Sequence, residues 1–117
     1  MALMMLIAGP YRSGTNDDPT LIARNMQLMN ETALAVYQRG HLPVCGEWFA
    51  LPLLEQAGST APGDALFNAL FHPISIAVLD RCDAVLRVGG ASAGADEMVR
   101  IAREAGKPVF RALHELP

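Results

Sequence analysis

Apolar and polar positions along this chain alternate between two periods. Residues 4–8, MMLIA, form a short unbroken apolar run that stops at Gly9-Pro10, the pattern of a strand buried on both faces of a parallel sheet. After it, Ile22, Met26, Met29, Ala33, Val36 and Tyr37 recur at helical spacing. Asp18-Pro19 opens that helix with a capping acid and a proline, and Gly40 closes it. Residues 41–45, HLPVC, read as a second short strand, which Pro43 pushes toward a sheet edge. EWFALPLLEQAG predicts a short helix interrupted or bent near Pro52, and STAPG a loop. From Asp64 to Arg81 a longer helical pattern runs, with Pro73 expected to bend or split it. AVLRV at 84–88 is a third strand. Residues 93–106 are helical, with Ala95, Met98, Val99, Ala102 and Ala105 on one face, and KPVF is a fourth strand.

Strands alternating with helices predict a small α/β domain with a parallel sheet, occupying residues 1–117 as one unit. Ligands of such sheets sit beyond the carboxyl ends of the strands. The two unusual loops, GPYRSGTNDD and GGASAGADE, each follow a strand and precede a helix. The alternation therefore places them on one rim.

Composition narrows the function classes. Of 117 residues, 51% are hydrophobic and 18% charged, a globular balance. Net charge is −3 with no basic stripe, which argues against a duplex nucleic-acid partner. A small anionic ligand stays open, because a glycine loop and one arginine can hold it locally. Cys45 and Cys82 are far apart and lack metal spacing, so two buried free thiols are expected. The apolar start has no positive region before it and is too short to span a bilayer. No membrane partner and a cytoplasmic location are expected.

The first loop offers Tyr11, Arg12, Ser13, Gly14 and Thr15. Arg12 can give paired donors to a phosphate or carboxylate; an ordinary surface turn is the alternative. The second loop offers Gly89, Gly90, Ser92 and Gly94 before a helix N-terminus, whose free N–H groups favour an anion. Asp96 and Glu97 also complement that helix dipole without any ligand. Trp48 can stack on a base or belong to a core or an interface. His41, His72 and His114 are isolated, so no metal is expected.

Three stretches together, LIAGPYRSGTNDD, RNMQLMNETALAVYQRGHLPVCG and LDRCDAVLRVGGASAGADEMVRIAREAGKPVF, resemble the nucleoside 2-deoxyribosyltransferase-like superfamily. The resemblance includes its 2'-deoxynucleoside 5'-phosphate N-hydrolases and a small uncharacterised branch. It implies a three-layer, flavodoxin-like Rossmannoid fold with a parallel sheet of about four strands in the order 2-1-3-4. The implied activity is cleavage or transfer of the N-glycosidic bond of a deoxynucleoside or its 5'-monophosphate. A glutamate attacks the anomeric carbon, and neither cofactor nor metal is needed. A homo-oligomer with sites near subunit interfaces is also implied.

Carried over by position, Gly9, Arg12, Ser13 and Gly14 match the family's phosphate-holding loop, and Tyr11 the tyrosine near the sugar. Ser92 matches a phosphate- or sugar-contacting serine, and Gly94 the glycine of the helix-opening turn. Two positions depart. Ser75 stands where the family has an aspartate, and Met98 where it has the nucleophilic glutamate. Glu97, one residue early, becomes the candidate nucleophile if the loop shifts register, with Asp96 or Asp80 as acid/base helpers and Trp48 on the base. The expected function is thus nucleoside or nucleotide binding with glycosidic cleavage. Its rivals are a sensing module without turnover and a structural oligomer whose glycines serve turns.

Overall fold

In the computed structural model, which describes residues 2–117, Met4–Ala8 forms strand β1 inside a parallel sheet. Met1, the first residue of the expected domain, lies outside the described residues. Side chains of a strand alternate between its faces. Met5 and Ile7 accordingly enter one core cluster and Leu6 and Ala8 another, all four buried. β1 pairs with β2 (Leu42–Val44) on one side and with β3 (Ala84–Arg87) on the other. β3 pairs with β4 (Val109–Phe110), giving the order β2-β1-β3-β4, the expected 2-1-3-4 arrangement.

Helices cover both faces. Met29, Ala33 and Val36 of α1 (Pro19–Gln38) pack on Met5, Ile7, Ala84 and Leu86. Leu79 of α3 (Ala65–Asp80) and Ala95, Met98, Val99 and Ala102 of α4 (Ala93–Glu104) pack on Leu6, Ala8 and Val85. The reason is directional. The chain moves outward from β1 to β2 through α1, then back past β1 to β3 through α2 (Gly46–Ala57) and α3. Crossovers of one hand that run in opposite directions lie on opposite faces. The reversal point, between β1 and β3, is where such sheets open a crevice beyond their strands.

The caps lie near their expected positions. Asp18 accepts from the Thr20 N–H at 2.9 Å with Pro19 as first helical residue, and Gly40 follows α1 with φ +92°. Several expectations change. β2 covers three residues and β4 only two, so both edges of the sheet are short. α2 runs unbroken through Pro52 and α3 through Pro73. Each proline removes one backbone donor, but the two helices pack closely on each other, with Leu54 and Phe67 buried, and this tertiary contact keeps them helical. Tyr37, expected on the apolar face of α1, is 65% exposed, because one helical step turns it about 100° from the fully buried Val36. A short 3-10 turn at Leu113–Glu115 was not foreseen. Among the described residues no helix is long and apolar enough to cross a membrane.

α2 and α3 approach each other closely at Gly46. A Cβ there would lie 2.6 Å from Ser75 Oγ and 3.2 Å from Ser75 Cα. Gly46→Ala is therefore expected to cost about 1–3 kcal/mol. Denaturant unfolding of Gly46→Ala, Ser75→Gly and the double variant checks the cause. Partial recovery in the double variant is expected, since the two sites share one contact.

Candidate functional site

A cavity of about 160 Å³ opens at the carboxyl end of β1, on the face covered by α3 and α4. Its floor is Leu6, Ala8 and Gly9, with Ser75 and Met98 beside them. Tyr11, Arg12 and Ser13 approach from the loop after β1, Gly46 and Glu47 from the start of α2, and Ser92, Gly94 and Ala95 from the start of α4. Phe67, Phe71 and His72 of α3 complete the wall. Two of these segments begin helices, so free backbone donors are directed toward the same end of the sheet.

Tyr11, Phe71 and Phe67 form a stacked ladder, with ring centroids 5.5 Å apart for the first pair and 4.6 Å for the second. The loop that delivers Tyr11 is held from below. Asn25 Nδ2 donates to the Tyr11 carbonyl at 2.9 Å, and the buried Thr15 hydroxyl donates to the Arg12 carbonyl at 2.5 Å. Arg12 extends over the Phe67 ring at 5.3 Å. Its fork is closed on Asp17, Nε to Oδ1 at 2.8 Å and Nη2 to Oδ2 at 2.9 Å. Asn16 and Asp17 both take positive φ, 51° and 58°, a conformation uncommon outside glycine. Gly63 lies against the guanidinium, where any Cβ would come within 2.3 Å of Nη2.

Glu47 is the one carboxyl among the lining residues and is 7% exposed. Among the described residues no cation pairs with it. Burial pushes its pKa from 4.5 up to about 7, against a smaller lowering effect of its own backbone N–H. Burial likewise raises Tyr11, with the nearby Glu47 charge adding to it. Cys45, just before Glu47, is raised for the same two reasons and stays a thiol.

The cavity brings together Gly9, Tyr11, Arg12, Ser13, Ser92 and Gly94 from the sequence-derived set. Ser92 also caps α4, its Oγ accepting from the Ala95 N–H at 3.1 Å. Ser75 and Met98, which replace the acids that the resemblance implies, line the cavity as well.

Five residues of that set lie elsewhere. Glu97 is part-exposed and does not line the cavity; it is paired with Arg100, which donates from Nε to Oε2 at 2.9 Å and from Nη2 to Oε1. That hydrogen bond holds the Glu97 carboxyl below its usual pKa. One helical step turns a side chain by about 100°, so Met98 takes the inward position. Asp96 is two-thirds exposed and accepts from the buried Arg87 at 3.1 Å. Arg87 also holds the Gly90 carbonyl at 2.8 Å, so this pair shapes the loop. Asp80 ends α3 at the amino end of the strands, opposite the cavity, because α3 runs back toward the start of β3. Trp48 is 42% exposed and donates to Asn30 Oδ1 at 2.8 Å, bridging α2 to α1. Gly14 stands clear of the cavity with φ +74°.

Sequence reading missed Glu47, Phe67 and Phe71. A signal for Glu47 existed: it follows β2 by the same strand-to-helix rule that marked the other two loops. Among the described residues no group of three His, Cys, Asp or Glu side chains is placed to hold a metal ion. No protein-family model matches the chain, and no curated protein matches it.

Proposed function

We propose that this chain binds a nucleoside or nucleotide in the cavity at the β1 rim and breaks its N-glycosidic bond. The observation that carries the reading is the single buried carboxyl, Glu47, in a cavity walled by a stacked aromatic ladder at the reversal point of a parallel sheet. Aromatic faces suit a planar base. Buried carboxyls with raised pKa suit proton transfer near neutral pH. The resemblance of the two loops to nucleoside-processing proteins points to the same ligand class. The test is incubation with a panel of nucleosides, deoxynucleosides and their 5'-monophosphates, with released base read by chromatography. Release of base from at least one member is expected. Release from none contradicts the catalytic reading.

A second reading, binding without turnover, is favoured by one observation: Ser75 and Met98 put no carboxyl at the positions where the resembling family has two. A member of the panel that raises the melting temperature and stays intact after long incubation supports it.

Arg12 is the one permanently charged cation on the cavity wall, and Asp17 already occupies its fork. A 5'-phosphate must displace that carboxylate to reach it. Asp17→Asn is therefore expected to tighten binding of a 5'-monophosphate about tenfold, while leaving the matching nucleoside unchanged. Calorimetric titration of both ligands checks this.

A further inference from the structure

We propose that Glu47 gives its proton to the departing base and that water takes the base's place on the sugar directly, with no sugar ever bonded to the protein. The inference rests on the glycosidic reading above and departs from the carboxylate attack that the resemblance implies.

Either route of glycosidic cleavage ordinarily uses two carboxyls, but only transfer through a sugar–protein intermediate needs an ionised carboxylate that attacks the sugar; in direct displacement water is the nucleophile. The cavity has one carboxyl. The nearest other carboxyls, Glu97 and Asp96 of α4, are not among the lining residues and are held by Arg100 and Arg87 respectively, although Glu97 lies within electrostatic reach of His72 on the wall. The surroundings of Glu47 decide which of the two roles it fills. Tyr11 faces it from the loop after β1, Cys45 precedes it, and His72 and Ser75 face it from α3. Ser92 and Met98 face it from α4. Arg12, the permanent cation on the wall, is neutralised by Asp17. No group in this set is a fixed positive charge free to hold Glu47 ionised, so burial keeps the carboxyl mostly protonated up to about pH 7. A protonated carboxyl donates; it does not attack.

Size supports the same division of labour. A cavity of about 150 Å³ accepts one benzene-sized ring, and this one is about 160 Å³. It has room for one ring of a nucleoside, and the rest of the ligand can extend through its open mouth. The aromatic ladder suits the base, which leaves the sugar carbon at the mouth, open to solvent. In the step, the C1'–N bond breaks and its electron pair goes to the base nitrogen, which takes the proton from Glu47. A water oxygen bonds to C1' from the opposite face. One proton of that water is released and Glu47 is reprotonated through solvent, so base and free sugar are the whole product.

The experiment uses the full chain and a nucleoside it hydrolyses, with a second free base present. Proton NMR follows the first sugar anomer formed and any exchange of base, and intact mass is recorded during turnover. The expected result is inversion at C1', no base exchange and no adduct. Glu47→Gln, of equal shape, is expected to lose about 100-fold or more in rate, to lose the fall in rate above neutral pH, and to bind the nucleoside within about threefold of the parent. Base exchange at a rate near hydrolysis, a sugar adduct on any carboxylate, or an unchanged rate in Glu47→Gln overturns the inference while leaving the glycosidic reading intact. No base release from any substrate removes both.

Discussion

Glu47→Gln is expected to be more stable than the parent above neutral pH. In the folded chain the Glu47 carboxyl titrates at about 7, whereas its ordinary value is 4.5. Below the ordinary value both folded and unfolded chains carry the proton, and the stability associated with this group is fully present. As pH rises from there, the unfolded chain ionises first and the folded chain must hold a proton that the unfolded chain has lost. Stability therefore falls until the folded group also ionises near 7. A gap of this size corresponds to on the order of 3 kcal/mol, most of it lost between pH 5 and pH 8. Glutamine has the same shape and never ionises. Urea unfolding at pH 5 and pH 8 should show the parent losing about 2–3 kcal/mol more than the variant over that interval. Parallel losses would mean that the carboxyl is not held in its protonated form.

The second large effect is expected at Lys107, far from the cavity. Its ammonium donates to the carbonyls of Leu79 at 2.7 Å, Asp80 at 3.0 Å and Cys82 at 2.7 Å. Leu79 and Asp80 end α3 and Cys82 lies two residues beyond it; the Leu79 carbonyl also accepts from the Cys82 N–H at 2.9 Å, so the ammonium ties this helix end to the start of β3. A cation there also meets the negative end of the helix dipole. Lys107→Met keeps the aliphatic stem and removes the three donors. A loss of about 2–4 kcal/mol is expected, because charge-assisted hydrogen bonds contribute more than neutral ones and the Leu79 carbonyl is poorly placed to find water instead. Lys107→Arg should recover part of the loss, since a flat guanidinium cannot converge on three carbonyls as an ammonium does. Urea unfolding of both variants measures this. A loss below about 1 kcal/mol in Lys107→Met would show that water replaces the ammonium.

The arrangement of the sheet was legible because the relevant signals are local and repeated. An apolar run ending in Gly9-Pro10, a helix opened by Asp18-Pro19 and another opened at Ser92 each carry their own boundary. Pro52 and Pro73 misled for the opposite reason. Their local effect is to break a helix, and it is overridden by contact between α2 and α3, which no local pattern reveals. At the site, the rule that rim loops converge places Tyr11, Arg12 and Ser13 opposite Ser92 and Gly94, where the cavity lies. Glu47 carried only the general signal of a residue that follows a strand and opens a helix, and nothing local marked it as buried. A lone glutamate in the first turn of a helix is ordinary, and only burial against Tyr11 and α3 separates it from Glu97, which occupies a similar position on α4 but is part-exposed and paired with Arg100. The aromatic ladder was hidden likewise, since Tyr11 and Phe67 meet across half the chain.

Everything proposed for function turns on which of two glutamates acts. The direct measurement is the rate of base release by the parent, Glu47→Gln and Glu97→Gln, on one nucleoside at neutral pH. The account predicts a loss of about 100-fold or more for Glu47→Gln and less than about threefold for Glu97→Gln. The reverse order, with Glu97→Gln inactive and Glu47→Gln unimpaired, would contradict it.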